Sequence, residues 1–140
     1  MPLHLGLAIA AVFAQALLVG IVYAVLLGRR LADIRSKRIH IRDIAVYNDA
    51  YEIGVQKTQN NLANQFELPV LLYACVALAA ASEASNWGLA IGSVAFVVSR
   101  YAHAWIHIGS NRVTRRFQVF AFGGAAICVA WVSLGLALLV

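Results

Sequence analysis

Charged side chains are missing from long stretches of this sequence, and that distribution limits the folds open to the chain. Between Leu5 and Gly28 no residue is charged, and Gln15 is the only strongly polar side chain. A helix over this stretch is about 36 Å long, enough to cross the hydrocarbon core of a bilayer. With 62% hydrophobic and 12% charged residues, the chain is more apolar than soluble domains. The sequence therefore predicts a protein whose solvent is lipid.

The apolar pattern predicts four transmembrane helices within a single domain that covers residues 1–140. The helices are expected at about 5–28, 60–81, 87–108 and 117–140. Pro69 has no backbone N–H, so we expect it to free a carbonyl near Gln65 and to bend the second helix. The predicted fold class is an all-α membrane protein built as a four-transmembrane-helix bundle.

The basic residues predict how these helices are oriented. Seven Lys and Arg precede helix two, three lie between helices three and four, and none lies between helices two and three. By the positive-inside rule, both basic loops are cytoplasmic and both termini lie on the opposite side. These loops account for the formal charge of +5 and suit anionic lipid headgroups, and no basic patch is interleaved with aromatic residues. The expected partner is the lipid bilayer and not nucleic acid.

Helices two and three carry polar residues at membrane depth, and their spacings mirror each other. Each set lies on one helix face, at intervals of three and four residues. The two sets are Asn60, Asn64 and Glu67 on helix two, and Arg100, His103 and His107 on helix three. Counted from the cytoplasmic ends of the two helices, Glu67 falls level with Arg100, and Asn60 falls level with His107. We therefore expect a buried polar cluster between these helices.

This cluster allows several interpretations. A charge at the bilayer centre costs roughly 2.5 to 3.5 kcal/mol on insertion scales, so Glu67 and Arg100 must pair or face a wet cavity. They either hold the bundle together or line a cavity in which an anionic ligand binds beside the second basic loop. A proton relay is a further interpretation, since ionisable residues inside membranes often mark one. His103 and His107 have the i, i+4 spacing of metal ligands, but too few further ligands accompany them, so no metal is predicted.

Two sequence elements in these regions carry a resemblance to a known family. The first is Asn64-Gln65-Phe66-Glu67-Leu68-Pro69 on helix two. The second is Arg100-Tyr101-Ala102-His103, then His107, then Asn111-Arg112-Val113 and Arg116-Phe117. In this order, on four hydrophobic segments, they make the chain resemble the membrane-associated proteins in eicosanoid and glutathione metabolism (MAPEG), and among these a bacterial branch. The resemblance covers essentially the whole chain.

The resemblance implies a homotrimer in the bacterial inner membrane, with glutathione bound between subunits near the cytoplasmic face and lipophilic substrates entering from the bilayer. It implies that Asn64 and Glu67 bind glutathione or order its site. It also implies that Arg100, Arg112 and Arg116 hold the tripeptide's carboxylates or steady its thiolate, with Arg116 as the catalytic candidate. We add two further predicted binding residues, His103 and His107. The implied activity is that of a glutathione-dependent transferase or peroxidase acting on lipophilic electrophiles or lipid hydroperoxides.

The sequence also departs from the family pattern. Phe117 and Phe120 stand where the characterised synthases of the family have a serine and a tyrosine, so two hydroxyl groups are missing. His107 replaces another tyrosine, and Asn60 stands where many members have an arginine. These departures favour the main alternative, a noncatalytic lipid- or partner-binding protein that resembles the lipoxygenase-activating member of the family. A small channel or proton-linked carrier is a third hypothesis.

Overall fold

The computed structural model describes residues 1–36, 39, 42 and 50–139, and this part of the chain contains helices and no β-strand. The helices in these ranges are α1 (Leu3–Arg35), α2 (Ile53–Asn64), α3 (Leu68–Ala81), α4 (Trp87–Ile108) and α5 (Val113–Leu138). Within the described residues, four stretches are long and apolar enough to cross a membrane, and α2 and α3 together form the second of them. The protein is therefore an integral, multi-pass membrane protein.

The first helix is longer than its apolar stretch. α1 contains 33 residues and is about 50 Å long, and it continues beyond residue 28, where the apolar run ends. Its polar extension is held by α2, because Arg29 Nη1 donates to the carbonyl oxygen of Gly54 and to Oγ1 of Thr58, both at 2.7 Å. Residues 37, 38, 40, 41 and 43–49 of the first basic loop lie outside the described part of the chain. So does residue 140, the predicted end of the last helix.

The second transmembrane segment is interrupted instead of merely bent. It begins at Ile53, earlier than the predicted residue 60, and residues 65–67 separate the end of α2 at Asn64 from the start of α3 at Leu68. Pro69 lies in the first turn of α3, where backbone N–H groups have no partner within the helix, so its missing N–H costs no helical hydrogen bond. The proline therefore begins a new helix, and the interruption leaves backbone groups of α2 free to bond elsewhere.

α4 is the central helix of the bundle. It spans Trp87–Ile108, the range expected from the sequence, and it is the most buried of the four spans. α4 and α5 approach each other closely at Gly92, where an added Cβ would lie 2.8 Å from the carbonyl oxygen of Ala126 and the amide nitrogen of Ala130. At the start of α4, Asn86 accepts a hydrogen bond from the amide of Leu89 at 2.9 Å and caps the helix.

The last helix begins four residues before its predicted start. α5 begins at Val113 and not at residue 117, so Arg115 and Arg116 lie in its first turn and not in a loop. The apolar pattern did not predict this first turn, because most of its side chains are polar. Polar side chains such as arginine are nevertheless compatible with a helix. The backbone of α5 therefore fixes the direction in which Arg116 points.

The outer surface of the bundle is apolar, as expected for a protein in lipid. Large hydrophobic side chains are exposed on every span, including Phe13 on α1 at 71% and Trp105 on α4 at 84%. In the interior, α1, α3, α4 and α5 contribute to one apolar core around Phe96 and Leu72, both fully buried. In water such an exposed surface would be a large apolar patch, whereas in a bilayer it faces acyl chains.

Candidate functional site

A polar cavity lies where the interruption between α2 and α3 faces α4 and the first turns of α5. Its volume is about 240 Å³. The residues that line it are Asn64, Glu67, His103, Val113, Arg116, Phe117 and Phe120. Four of the seven predicted site residues, which come from three different spans, therefore meet in one place. We call this space the polar cavity.

Arg100 lies next to the polar cavity and joins α4 to the interruption. Its side chain is 1% exposed, and its Nη2 donates to the backbone carbonyl oxygen of Asn64 at 2.9 Å. In a continuous helix that carbonyl would accept the amide of Leu68, so the interruption makes it available to the guanidinium. The expected direct pair with Glu67 is not formed: Glu67 is the residue before α3, and its side chain is exposed and makes no capping hydrogen bond to that helix.

His103 is a buried imidazole that lines the polar cavity. It is 3% exposed, and its Nδ1 has no hydrogen-bond partner. Its ring is close to the rings of His107, at 5.4 Å between centroids, and Phe120, at 5.9 Å. Within the described ranges, no three His, Cys, Asp or Glu side chains are grouped as metal ligands. His103 thus places an imidazole ring in the wall of the polar cavity.

His107 belongs to a chain of buried amides instead of lining the polar cavity. Asn61 Nδ2 lies 3.4 Å from His107 Nδ1, and because an amide nitrogen only donates, His107 Nδ1 is the acceptor. Asn61 Oδ1 accepts from Gln65 Nε2 at 3.0 Å, and Gln65 Oε1 accepts from Gln15 Nε2 at 3.0 Å. The predicted partner of His107, Asn60, is instead exposed. The hydrogen-bonded chain links α1, α2 and α4.

The sequence prediction missed this chain of amides. Gln15, Asn61 and Gln65 are all fully buried. One signal was present, because a lone amide in an otherwise apolar span needs a partner inside the bundle. Asn61 was missed because the spacing to Asn64 and Glu67 favoured its neighbour Asn60. In the structure α2 turns Asn60 outward and Asn61 inward. These residues hold together the helices that surround Arg100 and His103.

Arg116 is fixed in the polar cavity by the turn that precedes α5. Its Nη1 donates to Oδ1 of Asn111 at 2.8 Å. Asn111 has a φ of 49°, a left-handed conformation that asparagine tolerates, and its amide closes the end of α4 by donating to the carbonyl of Ile106 at 2.7 Å. Arg112, a predicted binding residue, is exposed at the start of α5 and does not line the cavity. The turn thus selects one arginine of the basic cluster for the cavity.

The polar cavity combines opposite charges with an aromatic wall. Arg116 supplies a guanidinium, Glu67 a carboxylate, and His103 an imidazole, so a ligand with both anionic and cationic groups is the best match. Phe117 and Phe120 supply apolar surface and no hydroxyl group. Ligand pockets usually have volumes of about 300–1,000 Å³. The cavity of about 240 Å³ is smaller, so it can enclose only part of a larger ligand.

Four apolar spans, with a charged cavity at an interruption of the second, define an integral membrane protein of the helical-bundle class. Residues 4–136 of the chain match the family model of MAPEG. The protein belongs to the MAPEG family, and the match extends over all four spans. No curated protein and no solved structure matches the chain significantly.

Proposed function

We propose that this MAPEG-family protein binds glutathione in the polar cavity and uses its sulfur on lipophilic electrophiles or lipid hydroperoxides. The supporting observation is that Asn64, Glu67, His103 and Arg116 converge in one cavity. Glutathione carries carboxylates, an ammonium group and a thiol, which matches the mixed charges of these side chains. The thiolate is the reactive form of a thiol, and a neighbouring cation favours it.

Each residue has a role in this proposal. The Arg116 guanidinium, held by Asn111, stabilises the thiolate and is the catalytic group. Glu67 pairs with the ammonium group of the tripeptide, while the amide of Asn64 and the imidazole of His103 hydrogen-bond to its polar groups. Arg100 orders the interruption that carries these side chains.

Two further predicted residues act from outside the polar cavity. His107 supports His103 from the next turn of α4, because the two rings are in contact. Arg112 is exposed beside the cavity and attracts an anionic ligand toward it through its charge. Neither residue needs to touch glutathione for these roles.

The proposed assembly is a homotrimer in the bacterial inner membrane, with both basic loops cytoplasmic and both termini periplasmic. The small volume of the polar cavity supports a neighbouring subunit that completes the site. Glu67 and Phe117 are exposed at the cavity and would then face that subunit. Lipophilic substrates would reach the sulfur from the bilayer, past the apolar side chains of Phe117 and Phe120.

A calorimetric titration of the detergent-purified protein with glutathione tests the proposed function. Saturable binding is expected, and Arg116→Ala should weaken it at least about tenfold, which corresponds to about 1.4 kcal/mol. Arg115→Ala is the matched control, because Arg115 lies in the same helical turn but is exposed and does not line the polar cavity. Absence of binding at millimolar glutathione would contradict the proposal.

The alternative function is noncatalytic binding of a lipid or a partner protein by the same fold. It is favoured by Phe117 and Phe120, which leave the polar cavity without a hydroxyl group that could assist the sulfur. Conjugation and peroxidase assays with glutathione distinguish the two functions. Turnover that Arg116→Ala abolishes supports the enzyme, whereas absence of both turnover and glutathione binding supports the noncatalytic function.

A further inference from the structure

A groove separate from the polar cavity runs along the seam between α1 and α4. Its volume is about 610 Å³, within the range of about 300–1,000 Å³ that is typical of ligand pockets. Its walls are mostly apolar and include Leu18, Val22 and Val25 of α1 and Trp105 of α4. Trp105 is 84% exposed, so the groove opens on the outer surface of the bundle. We call it the leaflet groove.

The leaflet groove has the depth of one bilayer leaflet. From Leu18 to Arg29 it follows α1 for about 16 Å, and one leaflet of a hydrocarbon core of roughly 30 Å is about 15 Å deep. Its inner end is at Tyr101, whose hydroxyl donates to the carbonyl oxygen of Ala14 at 2.8 Å. Beyond Tyr101 lies a second groove of about 380 Å³, whose lining contains no charged residue.

The outer end of the leaflet groove carries a positive charge. Arg29 lines this end, and its Nη1 makes both of its hydrogen bonds to neutral acceptors, the carbonyl of Gly54 and the hydroxyl of Thr58. Asp33, one turn further along α1, accepts from the backbone amide of Glu52 at 3.3 Å; both acidic residues line a separate cavity that Arg29 also borders, and neither lines the leaflet groove. A guanidinium has five N–H donors, so Arg29 retains donors for an anion. The end of α1 thus places a cation where the apolar run stops, at the expected depth of lipid headgroups.

We propose that the leaflet groove binds an anionic phospholipid of the leaflet that contains the basic loops. One acyl chain lies against Leu18, Val22 and Val25, and the phosphate binds Arg29. The complementary charge distinguishes this lipid from a zwitterionic one, because guanidinium and phosphate form strong charge-assisted hydrogen bonds. The second groove has no cation, so it should show no headgroup preference. A basic residue near a membrane surface contributes about 1 kcal/mol, which predicts an approximately fivefold preference for anionic lipid.

Trp105 provides the readout, because it lines the leaflet groove. The full chain with Trp87→Phe and Trp131→Phe, which leaves Trp105 as the only tryptophan, is reconstituted in phosphatidylcholine vesicles. Brominated phosphatidylglycerol or brominated phosphatidylcholine is then added in increasing fractions, and fluorescence quenching gives the relative affinity of the two lipids. The expected result is the fivefold preference for phosphatidylglycerol. Arg29→Gln should remove it, and Arg35→Gln, an exposed cation on the same helix, should leave it in place.

A second variant tests the groove without changing any charge. Val25→Phe narrows the leaflet groove and should also abolish the preference for phosphatidylglycerol. This variant is needed because Arg29→Gln also removes the hydrogen bonds between α1 and α2. Equal quenching by the two lipids would overturn the proposal, as would an equal effect of Arg35→Gln and Arg29→Gln. Absence of quenching by either lipid would also overturn it, because a second copy of the chain would then cover the groove.

Discussion

Replacement of Asn61 by alanine is the perturbation that most sharply tests the interior of the bundle. Asn61 is fully buried, and its side chain takes part in two hydrogen bonds, one with Gln65 at 3.0 Å and one with His107 at 3.4 Å. Hydrogen bonds between transmembrane helices contribute about 0.6 kcal/mol on average and up to about 1.7 kcal/mol. Loss of both bonds should therefore lower the free energy of unfolding by about 1 to 3 kcal/mol.

Asn60→Ala is the matched control, since it makes the same chemical change one residue earlier in the same helix. Asn60 is exposed, so we expect a change below about 0.5 kcal/mol. The difference in helix propensity between asparagine and alanine is the same at both positions and cancels in the comparison. The difference between the two variants therefore measures the buried hydrogen bonds and the orientation of α2.

The assay is reversible unfolding in mixed micelles, with the fraction of sodium dodecyl sulfate as the denaturant and circular dichroism as the signal. Asn61→Ala should shift the midpoint to a lower fraction of denaturant, and Asn60→Ala should leave it unchanged. If Asn60→Ala destabilised the protein as much as Asn61→Ala, the orientation of α2 described above would be refuted.

Three further predictions concern other parts of the chain. Glu67→Gln should weaken glutathione binding at least several-fold in calorimetry, because it removes the carboxylate of the polar cavity; unchanged affinity would argue against that role. Gly92→Ala should destabilise the bundle by about 1 to 3 kcal/mol, because a Cβ there meets the backbone of α5 at 2.8 Å. Gly135→Ala is the control, since a Cβ at that position meets no atom within 4 Å. Equal unfolding midpoints for the two variants would contradict the close approach of α4 and α5. Maleimide reacts with the thiolate, which needs water to form, so in intact vesicles it should label neither Cys75, buried in the bundle, nor Cys128, in the middle of α5; rapid labelling of Cys128 would contradict the placement of α5 in lipid.

The membrane spans were predictable from the sequence, whereas several of their ends were not. Long apolar runs indicate helices that cross a membrane, and such runs predicted all four spans. A helix, however, continues into polar sequence when other contacts support it. α1 therefore extends to Arg35 and α5 begins at Val113, where charged side chains had suggested loops.

Four of the predicted site residues line one cavity, but the contacts expected between the predicted residues differ from those in the structure. Glu67 and Arg100 were expected to pair because both were placed on continuous helices of known rise. The interruption before Pro69 breaks that register, so Arg100 bonds to the carbonyl of Asn64 instead. Spacing along one helix also left its rotation undetermined, and for that reason Asn60 was predicted where the structure has Asn61. The rotation of a helix about its axis depends on how it packs against its neighbours. The spacing of polar residues along one helix does not determine that packing.

The most direct test of the proposed glutathione site is a structure of the protein in lipid with glutathione bound. The glutathione sulfur is expected beside the Arg116 guanidinium in the polar cavity, and the ammonium group of the tripeptide beside Glu67. Glutathione bound only elsewhere on the protein, with the polar cavity closed or filled by acyl chains, would contradict the proposed site.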